Sequence, residues 1–281
     1  MKRILICTDG SAYGHVCCQY AAWLASRAQA SITTLYVTDL RQFEVPLIAD
    51  LSGSLGIQPY QAILGQLQEV EKKKAAVVLE NAERVLRDAG FAGAIDANHE
   101  TGLLVDRVVE HEKDADLVML GKRGEKANFA TEHLGSELER VVRASTRPCL
   151  VTSRAFKPVT RLLLAYDGGA SSRKALEFLT RSSAFQGLEL HIVTVAGSID
   201  PDTAMRQLHE AETLARSGGF KPICQMLQGT PEDQISAYLT GNDVNLLVMG
   251  AYGHSRIRHL IIGSTTTGMI RTCRVPVLLF R

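Results

Sequence analysis

The sequence predicts an α/β protein made of two tandem doubly wound domains, each a parallel sheet with helices on both faces. Three observations predict it. Short apolar runs alternate with segments of helical period along the whole chain, the pattern of strands buried on both faces. The order of these elements occurs twice. Each copy contains an apolar strand, a glycine-rich loop and a Gly-Ser pair that opens a helix.

In the first half, Ile4 to Thr8 is an apolar run ending at Asp9-Gly10-Ser11. A helical pattern from Gly14 to Ala28 and a β-rich run from Ile32 to Thr38 complete a βαβ signature. A long helix from Tyr60 to Asp88 closes at Ala89-Gly90-Phe91, with glycine where a helix commonly ends. A strand from Ile95 to Asn98, a helix from Leu103 to Lys113, a strand from Leu117 to Leu120, a helix from Glu137 to Ala144 and a strand from Cys149 to Thr152 follow. The second half repeats the series. Strands are expected at Leu162 to Tyr166, Leu190 to Val195, Ile223 to Leu227, Leu246 to Met249 and Val277 to Phe280. Helices are expected at Arg173 to Ser183, Thr203 to Ser217, Glu232 to Thr240 and Thr265 to Thr272.

Register supports a duplication. Lys2 to Gly10 aligns with Thr160 to Gly168 at an offset of 158; Phe91, Gly121 and Gly124 align with Phe220, Gly250 and Gly253 at 129; Gly135, Ser136 and Pro148 align with Gly263, Ser264 and Pro276 at 128. One insertion of 29 residues, within 40–74, and one of a single residue account for the shifts. The expected domains are 1–156 and 157–281, each large enough to bury its own core. The insertion reads as an exposed excursion, with a lid or partner surface as the alternative, and Lys72-Lys73-Lys74 as a solvated helix face.

Composition narrows the function. With 31 basic and 30 acidic residues the net charge is +1, which offers no electrostatic footprint for nucleic acid or an anionic membrane. The absence of a long apolar stretch and the early Asp9 favour a cytoplasmic chain without a signal peptide. The six cysteines lack metal-ligand spacing and read as buried reduced thiols.

The chemistry concentrates after Leu246-Leu-Val-Met249, in Gly250-Ala-Tyr-Gly253, nine residues, then Gly263-Ser264. Glycines let backbone amides approach a phosphate closely. A helix N-terminus at Gly263-Ser264 adds free N–H groups and the positive end of its dipole, with Ser264 as helix cap or phosphate donor. Ligands in open α/β sheets sit at the carboxyl ends of strands where strand order reverses, and Asp167 ends a strand at that crevice. The earlier copy, Gly121, Gly124, Gly135 and Ser136 with Asp9, has ten residues between its glycine pairs. Its loop carries Glu125, Lys126, Glu132 and His133, a formal −1; the later loop carries His254, Arg256, Arg258 and His259, a formal +2. Glu137 also stands where Thr265 stands, and an acid at a phosphate-facing helix start is unfavourable for anion binding.

The G-x2-G-x9-G-S spacing after a strand, with Tyr166-Asp167-Gly168-Gly169 upstream and Arg274-Val-Pro-Val-Leu-Leu near the end, resembles the universal stress protein family in its tandem form. The resemblance implies a five-stranded parallel sheet per domain of the adenine nucleotide alpha hydrolase-like kind, and domain pairing through the final strand. It implies ATP, ADP or AMP as ligand, with phosphates on Gly250, Gly253, Gly263, Ser264 and Thr265, the nucleoside against Met249 and Val195, and Asp167 on ribose or base. Mg²⁺ would be held through the phosphates, with no protein side chain as metal ligand. His254 and Arg256 are candidate phosphate contacts, and the first site is degenerate. The expected protein is a stress-response regulator binding ATP chiefly in its second half. A slow ATP hydrolase or phosphotransferase and a nucleotide-free interaction protein are the competing readings, because no P-loop lysine, paired carboxylates or Ser-His-Asp arrangement is evident. The halves are expected to form an intramolecular pseudo-dimer, with a further homodimer and a regulatory protein partner left open.

Overall fold

The computed structural model describes residues 1–39, 60–124, 136–197, 200–251 and 263–281. In the first half β1 (Arg3–Cys7), α1 (Ala12–Ala28), β2 (Ser31–Thr38), α2 (Tyr60–Asp88), β3 (Ile95–Thr101), α3 (Leu104–His111), β4 (Leu117–Gly121), α4 (Ser136–Ala144) and β5 (Cys149–Thr152) follow in order. The second half runs β6 (Arg161–Ala165), α5 (Ala170–Arg181), β7 (Glu189–Val195), α6 (Pro201–Ser217), β8 (Ile223–Leu227), α7 (Pro231–Gly241), β9 (Leu246–Gly250), α8 (Ser264–Thr272) and β10 (Val277–Phe280).

Among the described residues ten strands form one sheet, in the order β3-β2-β1-β4-β5-β10-β9-β6-β7-β8. Each half is a parallel five-stranded unit whose strand order reverses between its first and fourth strands. The halves meet where β5 and β10 pair antiparallel, with Leu150 opposite Leu278, Cys149 opposite Leu279 and Val151 opposite Val277. Leu150 and Leu278 are equivalent at the offset of 128, so the pseudo-twofold axis passes between them. That is the geometry a duplicated, self-complementary dimer edge produces.

Strand alternation divides the core. Ile4, Ile6, Leu162 and Leu164 face one layer with α1, α2, α5 and α6; Leu5, Cys7, Leu163 and Val193 face the other with α3, α4, α7 and α8. Both clusters continue across the β5–β10 seam. The segment joining the halves is anchored by Tyr20. Its hydroxyl donates to Ala155 O at 3.3 Å and accepts from the Lys157 amide at 3.2 Å, while its ring meets Phe156 edge-on at 4.8 Å. Arg27 on α1 reaches into the second half, donating to Ala184 O at 2.6 Å and Gln186 O at 2.7 Å.

Several expected boundaries shift by a residue or a turn. α5 begins at Ala170, three residues before the expected start, because Gly169 in extended conformation already serves as its N-cap. α3 stops at His111 and continues as a single 3-10 turn, Glu112–Asp114. Of the expected insertion, residues 40–59 lie outside the described residues; Tyr60–Asp88 is helical, and Lys72 and Lys73 are exposed. Among the described residues no helix is long and apolar enough to cross a membrane.

Candidate functional site

At the carboxyl edge of the second half, β6 and β9 lie side by side with Ala165 opposite Met249. The chain leaves β6 through Asp167, Gly168 and Gly169 into α5. Gly168 has φ of 71°, a left-handed conformation glycine accepts without strain, and a Cβ there would fall 2.7 Å from the Gln207 amide. Asp167 Oδ1 accepts from the Gly169 amide at 2.9 Å and from the Ser172 hydroxyl at 2.6 Å. The carboxylate is thus oriented by the first turn of α5, a local Asx-turn arrangement. Met249 is buried at 5% exposure, and Val195, at the end of β7, is half-buried.

Gly250 has a packing role visible in the structure. A Cβ at that position would lie 3.0 Å from Ser171 Cβ and 3.4 Å from the Ser172 amide, so its absence lets α5 start over the end of β9. The chain departs at Ala251 and returns at Gly263, whose N–H donates to Ala251 O at 3.3 Å. Thr266, 3% exposed, closes the join by donating to Ala251 O at 3.2 Å. The N-terminus of α8 is therefore held against the end of β9, beside the Asp167 turn. Ser264 does not cap α8: the N-cap is Gly263, with φ −57° and ψ 147° and no side-chain cap, and Ser264 is an exposed first-turn residue. A capping side chain must hang from the non-helical residue, and that residue is a glycine. Thr265 stands half-buried beside Ser264.

Two buried polar atoms at this end of the second half, Thr194 Oγ1 and Gln207 Oε1, lack a hydrogen-bond partner among the described residues. Buried polar atoms are usually paired. Thr194 precedes Val195, and Gln207 lies against Gly168.

The first half departs at each of these points. Asp9 Oδ1 accepts from the Ser11 amide at 3.0 Å, but Gly14 occupies the position of Ser172, so no hydroxyl steadies the carboxylate from there. A Cβ on Gly124 would sit 2.8 Å from Asp9 Oδ2, which places the Gly124 backbone over the acid. A Cβ on Gly121 would lie 2.9 Å from the Cβ of Tyr13, the counterpart of Ser171. Tyr36 and Val78 replace Thr194 and Gln207. α4 carries Glu137 and Glu139 in its first turn, with Glu137 paired to Arg140 at 2.8 Å; the first turn of α8 has no acid.

Gly253, His254 and Arg256, like Gly135, lie outside the described residues, and of Ser136 only the helical backbone is described. The structure thus brings together Asp167, Val195, Met249, Gly250, Gly263, Ser264 and Thr265. It adds Ser172, Thr194 and Gln207, to which no role was assigned from sequence; Thr266, expected as a neutral donor near the phosphate, is instead turned onto the Ala251 carbonyl. Ser172 was open to detection, because a serine five residues after the turn aspartate is placed to reach back to it. Thr194 and Gln207 carry no local signal, since each reads as an ordinary strand or helix residue. Cys7, Cys17, Cys18, Cys149 and Cys273 are buried and unpaired; burial pushes the Cys18 and Cys149 thiols up to about 12, so these are inert packing groups. Cys224 is only partly buried, and burial raises its thiol to about 11. Among the described residues no three His, Cys, Asp or Glu side chains converge on a metal position.

The sequence model of the universal stress protein family matches residues 1–153 and again 158–281. A universal stress protein of Synechocystis is 44% identical over the full length of both chains. One from Mycolicibacterium smegmatis is 23% identical over 99% of this chain and 96% of its own. A crystal structure of a universal stress protein from Archaeoglobus fulgidus superposes with a TM-score of 0.76 at 22% identity, covering 99% of this chain and 98% of that one. With two matches spanning nearly its whole length and a full-length relative of that identity, the chain belongs to the universal stress protein family.

Proposed function

We propose that this protein is a cytoplasmic stress-response regulator that binds one adenine nucleotide, ATP in the first instance, at the carboxyl edge of its second half. The observation that carries this reading is the asymmetry between two copies of one site. The second copy combines intact glycine spacing, an acid-free α8 start without a side-chain cap, an oriented Asp167 and two orphaned buried polar atoms beside it. The first copy has acids at the helix start and backbone over Asp9.

In this reading the backbones of Gly250, Gly253, Gly263, Ser264 and Thr265 hold the phosphates, as expected of a helix N-terminus. His254 and Arg256 add charge, Met249 and Val195 meet the nucleoside, and Asp167, steadied by Ser172, accepts from a ribose hydroxyl or the base. A bound nucleotide would hold Mg²⁺ through its own phosphates, supplying charge neutralisation there. No residue is assigned as a general base, so the protein is a binder and at most a slow hydrolase. The domains are taken as 1–156 and 157–281. The test is chromatography of the small molecules released when purified protein is denatured. About one adenine nucleotide per chain is expected; none retained and none bound on titration would leave the interaction-protein reading. Phosphate release on the order of 1 to 10 per second, abolished by Asp167→Asn, would instead make it an enzyme.

A further inference from the structure

One corner of the layer between sheet and helices, beside the Asp turn, is built differently in the two halves. In the first half Tyr36 on β2 packs with Ala75, Val78 and Leu79 on α2 as a buried apolar cluster. At the offsets of 158 and 129 their counterparts are Thr194 on β7 and Ala204, Gln207 and Leu208 on α6. Alanine and leucine are kept, so none of the four replaces the Tyr36 ring, and two apolar side chains give way to polar ones. Thr194 lies two residues after Ile192, on the sheet face that α6 covers. It is 0% exposed, and neither its Oγ1 nor Gln207 Oε1 has a hydrogen-bond partner among the described residues. Unpaired polar atoms in such a place are costly until something pairs with them. The seat of Gln207 is the Asp167 turn: its Cγ, Cδ and Nε2 lie 2.8, 2.8 and 2.7 Å from where a Cβ on Gly168 would stand. With Nε2 laid on Gly168, the unpaired atom of this amide is its oxygen, which can only accept.

We infer, resting on the nucleotide site proposed above, that Thr194 and Gln207 select the base in the second half, taking a purine edge with a donor beside an acceptor, as a 6-aminopurine has. Sheet order gives the direction. β9, β6 and β7 are neighbours, so a ligand with its phosphates at Gly250 and α8 and its sugar at Asp167 carries its base to β7, two strand spacings or about 10 Å from β9. The 6-amino group donates to Gln207 Oε1, and the Thr194 hydroxyl donates to the adjoining ring nitrogen. A 6-oxopurine sets an acceptor against Gln207 Oε1 and leaves buried groups unpaired, the condition under which a polar site discriminates most strongly. In the first half the same corner is filled by Tyr36 and Val78 and offers the base no such pair.

The probes are ATP and ITP, whose bases differ at the 6-position and the neighbouring ring nitrogen, each titrated by calorimetry into the full chain freed of nucleotide. The unaltered protein should bind ATP about tenfold or more tighter than ITP, the worth of one well-placed hydrogen bond. Thr194→Val and Gln207→Leu should each shrink that ratio by weakening ATP while leaving ITP nearly unchanged, a selective loss that general damage to the fold does not produce. In the nucleotide-free chain Thr194→Val should hold or raise the thermal midpoint, because an unpaired buried hydroxyl is exchanged for a methyl group of like shape. Equal affinity for ATP and ITP, a ratio unmoved by both substitutions, or a lowered midpoint for nucleotide-free Thr194→Val overturns the base assignment and leaves the nucleotide site standing. Binding of neither nucleotide removes the site and the base assignment together.

Discussion

Gly121, Gly124 and Gly250 of the repeated motif each answer to a particular neighbour, and the neighbours predict how substitutions separate folding from binding. At Gly121 a Cβ would lie 2.9 Å from Tyr13 Cβ and 3.1 Å from its backbone carbon, and backbone yields less than a side-chain end. Gly121→Ala is expected to destabilise by about 1 to 3 kcal/mol, the usual range for overpacking, read as a lowered urea midpoint. At Gly124 a side chain would meet the Asp9 carboxylate at 2.8 Å. Gly124→Glu should therefore lower stability yet leave nucleotide retention intact, whereas Gly263→Glu puts an acid at the α8 N-cap and should abolish retention. Equal loss of nucleotide from both would sink the assignment to the second half. Ser172→Ala removes the 2.6 Å hydrogen bond that orients Asp167. A hydrogen bond to a charged group contributes about 1.5 kcal/mol or more, so nucleotide affinity should fall by roughly tenfold in equilibrium dialysis.

At the scale of elements, the two halves solve one problem with different side chains. The amides opening β1 donate to a single acceptor on the turn before β4: Lys2 and Arg3 to Asp116 Oδ2, the latter at 3.1 Å. In the second half Thr160 and Arg161 donate to Asn245 Oδ1 at 3.0 and 3.2 Å. Partial burial opposes ionisation of Asp116, but the two amides and nearby Arg147 outweigh it and hold the carboxyl below its ordinary 3.8. A depressed folded value means the ionised form is favoured in the native state. The stabilisation is present above 3.8 and is lost as pH falls through the lower folded value. Asp116→Asn, which makes the first half resemble the second, should keep the clamp and flatten the acid side of the stability curve, measured as unfolding midpoint against pH. An acid limb unchanged by the substitution would show that Asp116 contributes nothing to it.

The whole molecule is organised by its seam. β5 and β10 would each be an unpaired edge in isolation, a recognised route to aggregation; paired antiparallel, they join two sheets into one and let both core layers run through. Leu278, 1% exposed at the pseudo-axis, has no room for charge. Leu278→Asp should destabilise the full chain by about 4 kcal/mol or more, the range reached by uncompensated buried charges. Residues 1–156 and 157–281 expressed apart should self-associate or recombine, because each exposes the same complementary strand. Two stable monomers indifferent to one another, in sedimentation runs, would contradict the seam as the source of stability. Arg27, bridging α1 to Ala184 and Gln186, and Lys122, donating to Cys273 O at 2.9 Å, both reach from the first half into the second and reinforce it.

By itself the sequence determined the order and type of the elements, since apolar period distinguishes strand from helix at each step. It also determined the duplication, legible in the offsets of Asp9, Gly121 and Pro148 to their partners, and singled out the half proposed to hold the nucleotide, where Gly250, Gly263 and Ser264 keep their spacing. These are properties of residues near one another in the chain. Tertiary structure decided what depends on distant neighbours. Only the sheet order sets Ala165 beside Met249 and so brings the Asp167 turn to the start of α8. Only packing assigns Gly250 to the close approach of α5, gives the α8 cap to Gly263 instead of Ser264, lays Gly124 over Asp9 and leaves Thr194 and Gln207 without partners. The surroundings of the seam follow the same rule. Tyr20 and Phe178 look interchangeable in sequence, and their surroundings differ because the joining segment passes over one and not the other.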